Sequence, residues 1–172
     1  MSGDTRTASR YGQDFAAWAH EQAAALRAAH DALKSNAHDS SFDALDWKNL
    51  AEEIEGLAQR DRRELASRIA LIIEHLAKLQ HSPTRAPRAG CIETVGRSRA
   101  AIQQILDDSP SLDGDVSALV EKRLPAAVRL AARSLSEFGE LPPIARISVS
   151  YIPQQVMEDW WPEIRPSARR RT

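Results

Sequence analysis

The chain has 172 residues, 42% of them hydrophobic and 27% charged, and its formal net charge is -1. This length and composition are typical of one globular domain, and the near-neutral charge provides no overall attraction to nucleic acid or to a membrane surface. The single cysteine, Cys91, excludes an intramolecular disulfide and a cysteine-cluster metal site. Because the first residues lack an apolar signal segment and no apolar run is long enough to cross a bilayer, we expect a cytoplasmic protein without a membrane span.

Helix-breaking residues are almost absent between residues 13 and 82. Between residues 13 and 82 there is no proline, and Gly56 is the only glycine, which favours long helices. Apolar residues at steps of three and four predict a first helix over about Gly12–Leu33. The polar segment 35–41 that follows is rich in turn-forming residues and predicts a loop.

A long apolar stripe within residues 46–81 predicts the second helical element. Asp43 or Asp46 is suited to cap its start. Gly56 weakens the helical pattern, and Asp61 interrupts the apolar stripe. The sequence leaves two alternatives for this element, one bent helix or two helices.

Prolines indicate the connections between the helices that follow. The connection 82–90 ends the second element, because each proline removes a backbone donor. A third helix then extends to Asp107 and Asp108. After it, Ser109 suits a cap position and Pro110 suits the first position of the next helix.

The last long helix is predicted over Leu112–Phe138 and is closed by Gly139. Pro125 lies inside this helix and should kink it. Residues 144–152 alternate in a β-like pattern between two prolines, which predicts a short extended segment and no sheet. A short amphipathic piece, Gln154–Trp160, completes the predicted elements.

Together these elements predict an all-α fold, a helical bundle of about four long amphipathic helices with a short C-terminal helical segment. We expect a flexible N-terminus over residues 1–10 and a single helical domain over residues 11–163. The basic segment 164–172 is expected to be a disordered tail.

Several short motifs occur in a familiar order along almost the whole chain. They are Tyr11–Trp18, Leu45–Ile54, His75–Lys78 with Gln80 and Pro83, Asp108–Leu112, and Trp160–Pro162. In this order they resemble the bacterial domain-of-unknown-function family 29. The resemblance implies an α-helical bacterial domain and assigns no activity. The chain departs from it at Cys91, because family members tend to carry a tryptophan three residues before the threonine that is Thr94 here.

Polar side chains follow one edge of the second apolar stripe. If residues 46–81 form one helix, Glu53, His75 and Lys78 share this edge, where charges support a helix through ion pairs and its dipole. Alternatively, these side chains face a cavity that binds a ligand, takes a metal or moves a proton. The candidate ligand-binding residues of this second interpretation are Asp14, Glu52, Glu53, His75 and Lys78, with Asn49 as an alternative to Asp14.

The sequence predicts no metal site and no cofactor. The Glu-x-x-His pairs of carboxylate-bridged metal sites are missing, as are His-Glu-x-x-His and the glycine-rich phosphate loops. Cys91 lies close to Arg88, which would lower the pKa of its thiol and make it reactive. The alternative is that Cys91 fills a buried gap as a small apolar side chain.

Two further groups of residues are candidates for binding partners. Arginines around the third helix are candidates for nucleic-acid contact, although nearby acidic residues oppose this role. These arginines are Arg85, Arg88, Arg97 and Arg99. Trp160 and Trp161 would clamp the C-terminal segment if buried, or form a protein-binding surface if exposed.

The leading functional hypothesis is therefore a small accessory protein, without enzymatic activity, that acts non-covalently on a protein partner or as a homo-oligomer. A ligand-binding domain or an enzyme built on the polar pocket is the first alternative. A nucleic-acid-binding protein that uses Arg85–Arg99 is the second. The sequence identifies neither a ligand nor a partner.

Overall fold

The computed structural model describes residues 10–35, 44–84, 88–142 and 146–163. Within these ranges the chain forms α1 (Phe15–Ser35), α2 (Trp47–His81), α3 (Arg88–Asp108), α4 (Val116–Glu137) and the short α5 (Pro153–Met157). They contain no β-strand, so the predicted all-α fold class with four long helices is confirmed. Almost all of the predicted N-terminal segment, most of the polar loop after α1 and the whole predicted tail lie outside the described residues.

Aspartate side chains cap the first two helices. Asp14 Oδ1 accepts the backbone N–H of Ala17 at 3.0 Å, and α1 begins directly after it rather than at Gly12. Asp46 Oδ1 accepts the backbone N–H of Asn49 at 3.2 Å in the same way, as one of the two predicted alternatives requires. Each carboxylate thereby satisfies an N–H that the first turn of a helix leaves without a partner.

The second element is one continuous helix of 35 residues, which settles the alternative that the sequence left open. Gly56 lies inside it without interrupting it, since a single glycine costs only about 1 kcal/mol relative to alanine. Asp61 is half-buried, and this burial raises the pKa of its carboxyl group. The helix therefore tolerates a partly desolvated carboxyl group on its apolar side.

The connection between α3 and α4 differs from the prediction in its first turn. Pro110 begins a helical segment, as expected, but Pro110–Asp115 is a 3₁₀ helix and α4 starts only at Val116. The predicted α-helix from Leu112 was therefore wrong over this turn. Helix N-termini often wind as 3₁₀ turns, and the glycine and aspartates of this segment are weak α-helix formers. Further along, α4 continues through Pro125.

The residue contacts divide the chain into two compact units. The first unit contains the described residues up to Glu64 together with Ile105–Asp113, and its core is built largely from small side chains. They include Ala16, Ala19, Ala23, Ala51, Ala58 and the buried Ser109, whose Oγ accepts the N–H of Ala16 at 3.2 Å. Alanines at these positions permit close helix packing. The single-domain prediction stays a prediction.

The second unit contains Leu65–Gln104 and the described residues from Gly114 onward. Its core consists of larger aliphatic side chains, which include Leu65, Ile69, Ile72, Leu76, Val95, Ile102, Leu119 and Val156. Burial of such side chains is worth roughly 1.5–3 kcal/mol each. This unit therefore has a well-filled aliphatic core on which a site can be built.

Candidate functional site

A cavity of about 120 Å³ lies within the second unit. Its wall is formed by the C-terminal part of α2 with the residues after it, the first turn of α3, and the end of α4 with the turn that follows. The lining residues are His75, Lys78, Leu79, Ser82, Arg88, Cys91, Ser134, Leu135, Phe138 and Glu140. An apolar wall with a few polar groups that converge from separate elements is typical of small-molecule sites.

His75 is the unusual member of this wall. Its side chain is half-buried, and its Nδ1 atom is shielded from solvent without a hydrogen-bond partner among the described residues. Burial is the main cause of a lowered pKa at His75, and the positive charge of Lys78 lowers it further, whereas Glu74 opposes the shift. The ring is therefore favoured in its neutral form, and one of its nitrogens is buried without a partner among the described residues.

Lys78 is held in place by its own helix. Its Nζ atom donates to Oε1 of Glu74 at 2.6 Å, and the two side chains are only 17% and 20% exposed. A glutamate four residues before a lysine is the favourable orientation for such a pair. The positive charge of Lys78 is therefore already balanced by Glu74.

Glu140 lines the cavity and is bound to the residues that follow α2. Its Oε2 atom accepts hydrogen bonds from the hydroxyl groups of Ser82 and, at 3.0 Å, Thr84. Gly139 makes this turn possible because its φ of 69° is a conformation that side chains with a Cβ rarely adopt. The Glu140 N–H donates to the carbonyl of Leu135 at 2.8 Å and fixes the turn against α4.

Arg88 and Cys91 come from the first turn of α3. Cys91 is buried, and this burial raises the pKa of its thiol. A protonated thiol is a weak nucleophile, so the surroundings of Cys91 favour the packing role over the reactive one. Arg88 is half-buried, and its Nε atom approaches the carbonyl oxygen of Thr84 at 3.5 Å.

The structure places the predicted ligand-binding residues in two different units. His75 and Lys78 line the cavity of the second unit. Asp14, Glu52 and Glu53 belong to the first unit and are not among the lining residues.

Asp14, Glu52 and Glu53 make contacts within the first unit or are exposed to solvent. Besides its capping role, Asp14 accepts the N–H of Ser111 at 2.9 Å and its hydroxyl at 2.8 Å. Glu52 and Glu53 are exposed, and Glu52 lies 3.9 Å from Lys48. Asn49, the alternative to Asp14, donates its side-chain amide to Asp46 at 2.6 Å.

Sequence reasoning missed Ser82, Ser134 and Glu140 as members of this wall. Ser82 and Glu140 are 58 residues apart and are joined by a hydrogen bond that no spacing rule reveals. The positions of Pro83 and Gly139 were the available signals, because they identify the two turns that bring these side chains together.

The tryptophan pair is part of a clamp on the C-terminal segment. The guanidinium of Arg99 donates to the carbonyl groups of Val156, Gln155 and Trp160 at 2.9–3.0 Å. It also lies 5.0 Å from the centre of the Trp161 ring. Both tryptophans are half-buried, and Arg99 is only 11% exposed. A role of Trp160 and Trp161 in partner binding stays a prediction.

The arginines proposed for nucleic-acid binding make different contacts from one another. Arg99 is occupied by the C-terminal segment, Arg97 pairs with Glu93, and Arg88 lines the cavity. Arg85 lies outside the described residues. The described members of this group therefore have three different surroundings.

The family model with the description "Domain of unknown function DUF29" matches residues 10–161 of the chain. The chain belongs to the DUF29 family. The match extends from before α1 to the Trp160–Trp161 pair, so the whole cavity lies within the DUF29 domain. No curated protein matches the chain.

This DUF29 domain is similar to a crystal structure described as an alpha-helical protein of unknown function from Rhodospirillum rubrum. The two chains are 24% identical, the TM-score is 0.67, and the likeness covers 87% of this chain and 89% of the other. At this level of identity the comparison shows a shared helical fold.

The described residues of the DUF29 domain show no metal cluster and no membrane-spanning helix. They contain no group of three or more histidine, cysteine, aspartate or glutamate side chains that is arranged to hold a metal ion. The same part of the chain has no helix that is both long and apolar enough to cross a membrane. The cavity wall contains the neutral imidazole of His75, the cation of Arg88, the carboxylate of Glu140 and apolar side chains, whereas Lys78 is already paired with Glu74.

Proposed function

We propose that this DUF29 protein binds a small molecule in the cavity of its second unit. The observation that supports the proposal most directly is the cavity itself, in which the apolar side chains of Leu79 and Leu135 meet polar side chains from separate elements. Buried polar atoms nearly always have a hydrogen-bond partner, because leaving one without a partner costs about 1–3 kcal/mol. The Nδ1 atom of His75, a residue of the cavity wall, bears this cost, and a rotation of the ring towards the cavity would let a ligand remove it.

The composition of the wall supports the same proposal. Leu79 and Leu135 supply buried apolar surface, whereas Lys78, Arg88 and Glu140 supply charges. The cavity volume of about 120 Å³ is below the usual range for drug-sized ligands, so we expect a compact ligand. A cytoplasmic location agrees with this role and with the single cysteine, and it is part of the proposal.

Association with a protein partner or a second copy, the leading hypothesis from the sequence, stays a prediction. The side chains suggested for it, Trp160 and Trp161, are half-buried and held by Arg99 within the second unit. The cavity has more specific support, because it combines a binding volume with charged and polar side chains in one wall.

The proposal is tested by NMR titration of the full-length ¹⁵N-labelled protein with small probes that share one branched hydrocarbon. The probes are L-valine, 3-methylbutanoate, 2-methylpropan-1-amine and 2-methylpropan-1-ol. We expect at least one of them to produce saturable shift changes centred on His75, Leu79 and Leu135. Such small molecules bind in the millimolar range, which this measurement covers. If no probe gives saturable changes at these residues, the proposal is wrong.

A matched pair of variants locates the binding site. Ser134→Phe places a large side chain at the cavity wall and should abolish the shift changes. Ser117→Phe makes the same change at an exposed position of the same helix and should retain them. Circular dichroism confirms that both variants are folded. Undiminished binding by folded Ser134→Phe would contradict the proposal, and the titration of the unaltered protein remains decisive if this variant does not fold.

A further inference from the structure

The charges of the cavity wall differ in how fully they are paired. Lys78 has Glu74 as an ion-pair partner at 2.6 Å. Arg88 and Glu140 have opposite charges, but the structure shows no ion pair between them, and Arg88 has no carboxylate partner elsewhere in the described part of the chain. The wall thus contains a cation and an anion that are each available to a ligand.

Thr84 shows that these two charges are close to each other. Its hydroxyl group donates to Oε2 of Glu140 at 3.0 Å, and its carbonyl oxygen lies 3.5 Å from Nε of Arg88. Both charged groups therefore approach the same residue from different sides. Opposite charges near each other but unpaired suit a ligand that carries both signs on neighbouring atoms.

The cavity also has a direction. Arg88 and Glu140 are half-buried and contact the exposed Thr84, whereas Leu79 and Leu135 are 5% and 3% exposed and form the buried part of the wall. A ligand with a charged head and a short apolar body therefore fits with its body inward and its head towards Thr84. The imidazole of His75 lines the same cavity.

We infer that the ligand is a small apolar α-amino acid, whose carboxylate is bound by Arg88 and whose ammonium group is bound by Glu140. This inference rests on the proposed function and adds the chemical class of the ligand. The guanidinium group is suited to a carboxylate because its N–H donors form parallel hydrogen bonds with both oxygens. The glutamate supplies the acceptor that an ammonium group needs. Because the zwitterion has no net charge, its binding leaves the net charge of the cavity unchanged.

The probes above separate the two charges of the ligand. L-Valine has both charges, 3-methylbutanoate lacks the ammonium group, and 2-methylpropan-1-amine lacks the carboxylate. Because hydrogen bonds to charged groups are the strong ones, we expect L-valine to bind about tenfold or more tightly than either single-charge probe. If a single-charge probe or the alcohol binds as tightly as L-valine, the amino-acid class is wrong although the cavity binds ligands. If none binds, the proposed function itself fails.

Two charge-neutralising variants assign the contacts. Arg88→Gln should weaken binding of L-valine and 3-methylbutanoate but leave the amine unchanged. Glu140→Gln keeps an acceptor oxygen for Ser82 and Thr84, and should weaken L-valine and the amine but leave the carboxylate probe unchanged. The opposite pattern, or equal effects on all probes, would overturn the assignment.

Matched controls exclude general charge effects. Arg97→Gln removes an exposed arginine of the same helix as Arg88, and Glu137→Gln removes an exposed glutamate close to Glu140 in the chain. Neither residue lines the cavity, so both variants should bind L-valine as the unaltered protein does. A control that weakens binding as much as its partner variant would contradict the proposed contacts.

Discussion

Protonation of one imidazole links the cavity to the stability of the fold. Burial and the nearby Lys78 lower the pKa of His75 from its ordinary value of 6.5. In the unfolded chain the ring takes up a proton near that value, whereas in the folded chain it does so only at lower pH. Between these two values the unfolded chain binds more protons, so the free energy of unfolding falls as the pH is lowered through this window. Above the window His75 is neutral in both states.

We predict that His75→Gln removes part of the stability loss between about pH 7.5 and about pH 5.5. Each unit of pKa difference corresponds to about 1.4 kcal/mol, which urea unfolding resolves. The comparison between variants cancels the contributions of other groups that face the cavity, such as Glu140 and Cys91. Ser117→Gln, at an exposed position of α4 that carries no titratable group, is the control and should keep the full pH dependence. Identical pH dependence in His75→Gln and the unaltered protein would contradict this account.

Local chemistry explains which residue contacts the sequence predicted. The capping role of Asp46 depends on residues three positions away, so it is visible in the sequence. The contact of Asp14 with Ser111 spans 97 residues and depends on how the chain folds back. His75 and Lys78 could be placed on one wall because residues three apart share a helix face. Arg88 and Glu140 join them from other elements, which no helical spacing predicts.

At the scale of elements, the apolar stripes predicted the existence of the helices better than their ends. The stripe of α2 was compatible with one helix or two, because neither Gly56 nor Asp61 costs enough to break a helix by itself. The segment Pro110–Asp115 shows where the stripe misplaces the start of a helix. Its apolar Leu112 matches the stripe of α4, but the backbone there is a 3₁₀ helix. Periodicity records which side chains are buried and is insensitive to the hydrogen-bond pattern of a single turn.

Pro125 gives a test at this scale. It is exposed and lies inside α4, where it cannot donate a backbone hydrogen bond. We predict that Pro125→Ala raises the free energy of unfolding by about 1–3 kcal/mol, because proline is about 3 kcal/mol less favourable than alanine inside a helix. Urea unfolding with an unchanged m-value measures the gain.

Pro153 is the matched control for this prediction. It occupies the first turn of α5, where the fixed φ of proline favours the helix and no backbone donor is needed. Pro153→Ala should therefore give no gain and a small loss. An equal gain at both positions would contradict this account, because the loss of a proline frees the unfolded chain and by itself lowers the free energy of unfolding.

At the scale of the whole molecule, contacts between distant segments hold residues 151–161 in the second unit. Tyr151 donates its hydroxyl to Oε1 of Gln80 at 2.8 Å, and burial raises the pKa of this tyrosine. Arg99 binds three carbonyl groups of the segment after it, of which Trp160 is the last. These contacts join residues 56 to 71 positions apart, so the C-terminal segment depends on a few side chains and not on a continuous helix.

Arg99→Lys tests this dependence. Lysine keeps the positive charge but lacks the planar fork that reaches three carbonyl groups at once, so at least one of them loses its partner. Because a hydrogen bond to a charged group is worth about 1.5–3 kcal/mol, we expect a loss of roughly 2 kcal/mol in stability. Hydrogen exchange should accelerate in Pro153–Met157 much more than in α3, since only the clamped segment is released. Arg97→Lys, at an exposed arginine of the same helix, should leave both measurements unchanged. Equal protection of Pro153–Met157 in the two variants would show that apolar burial of Val156 and Tyr151, and not Arg99, holds residues 151–161.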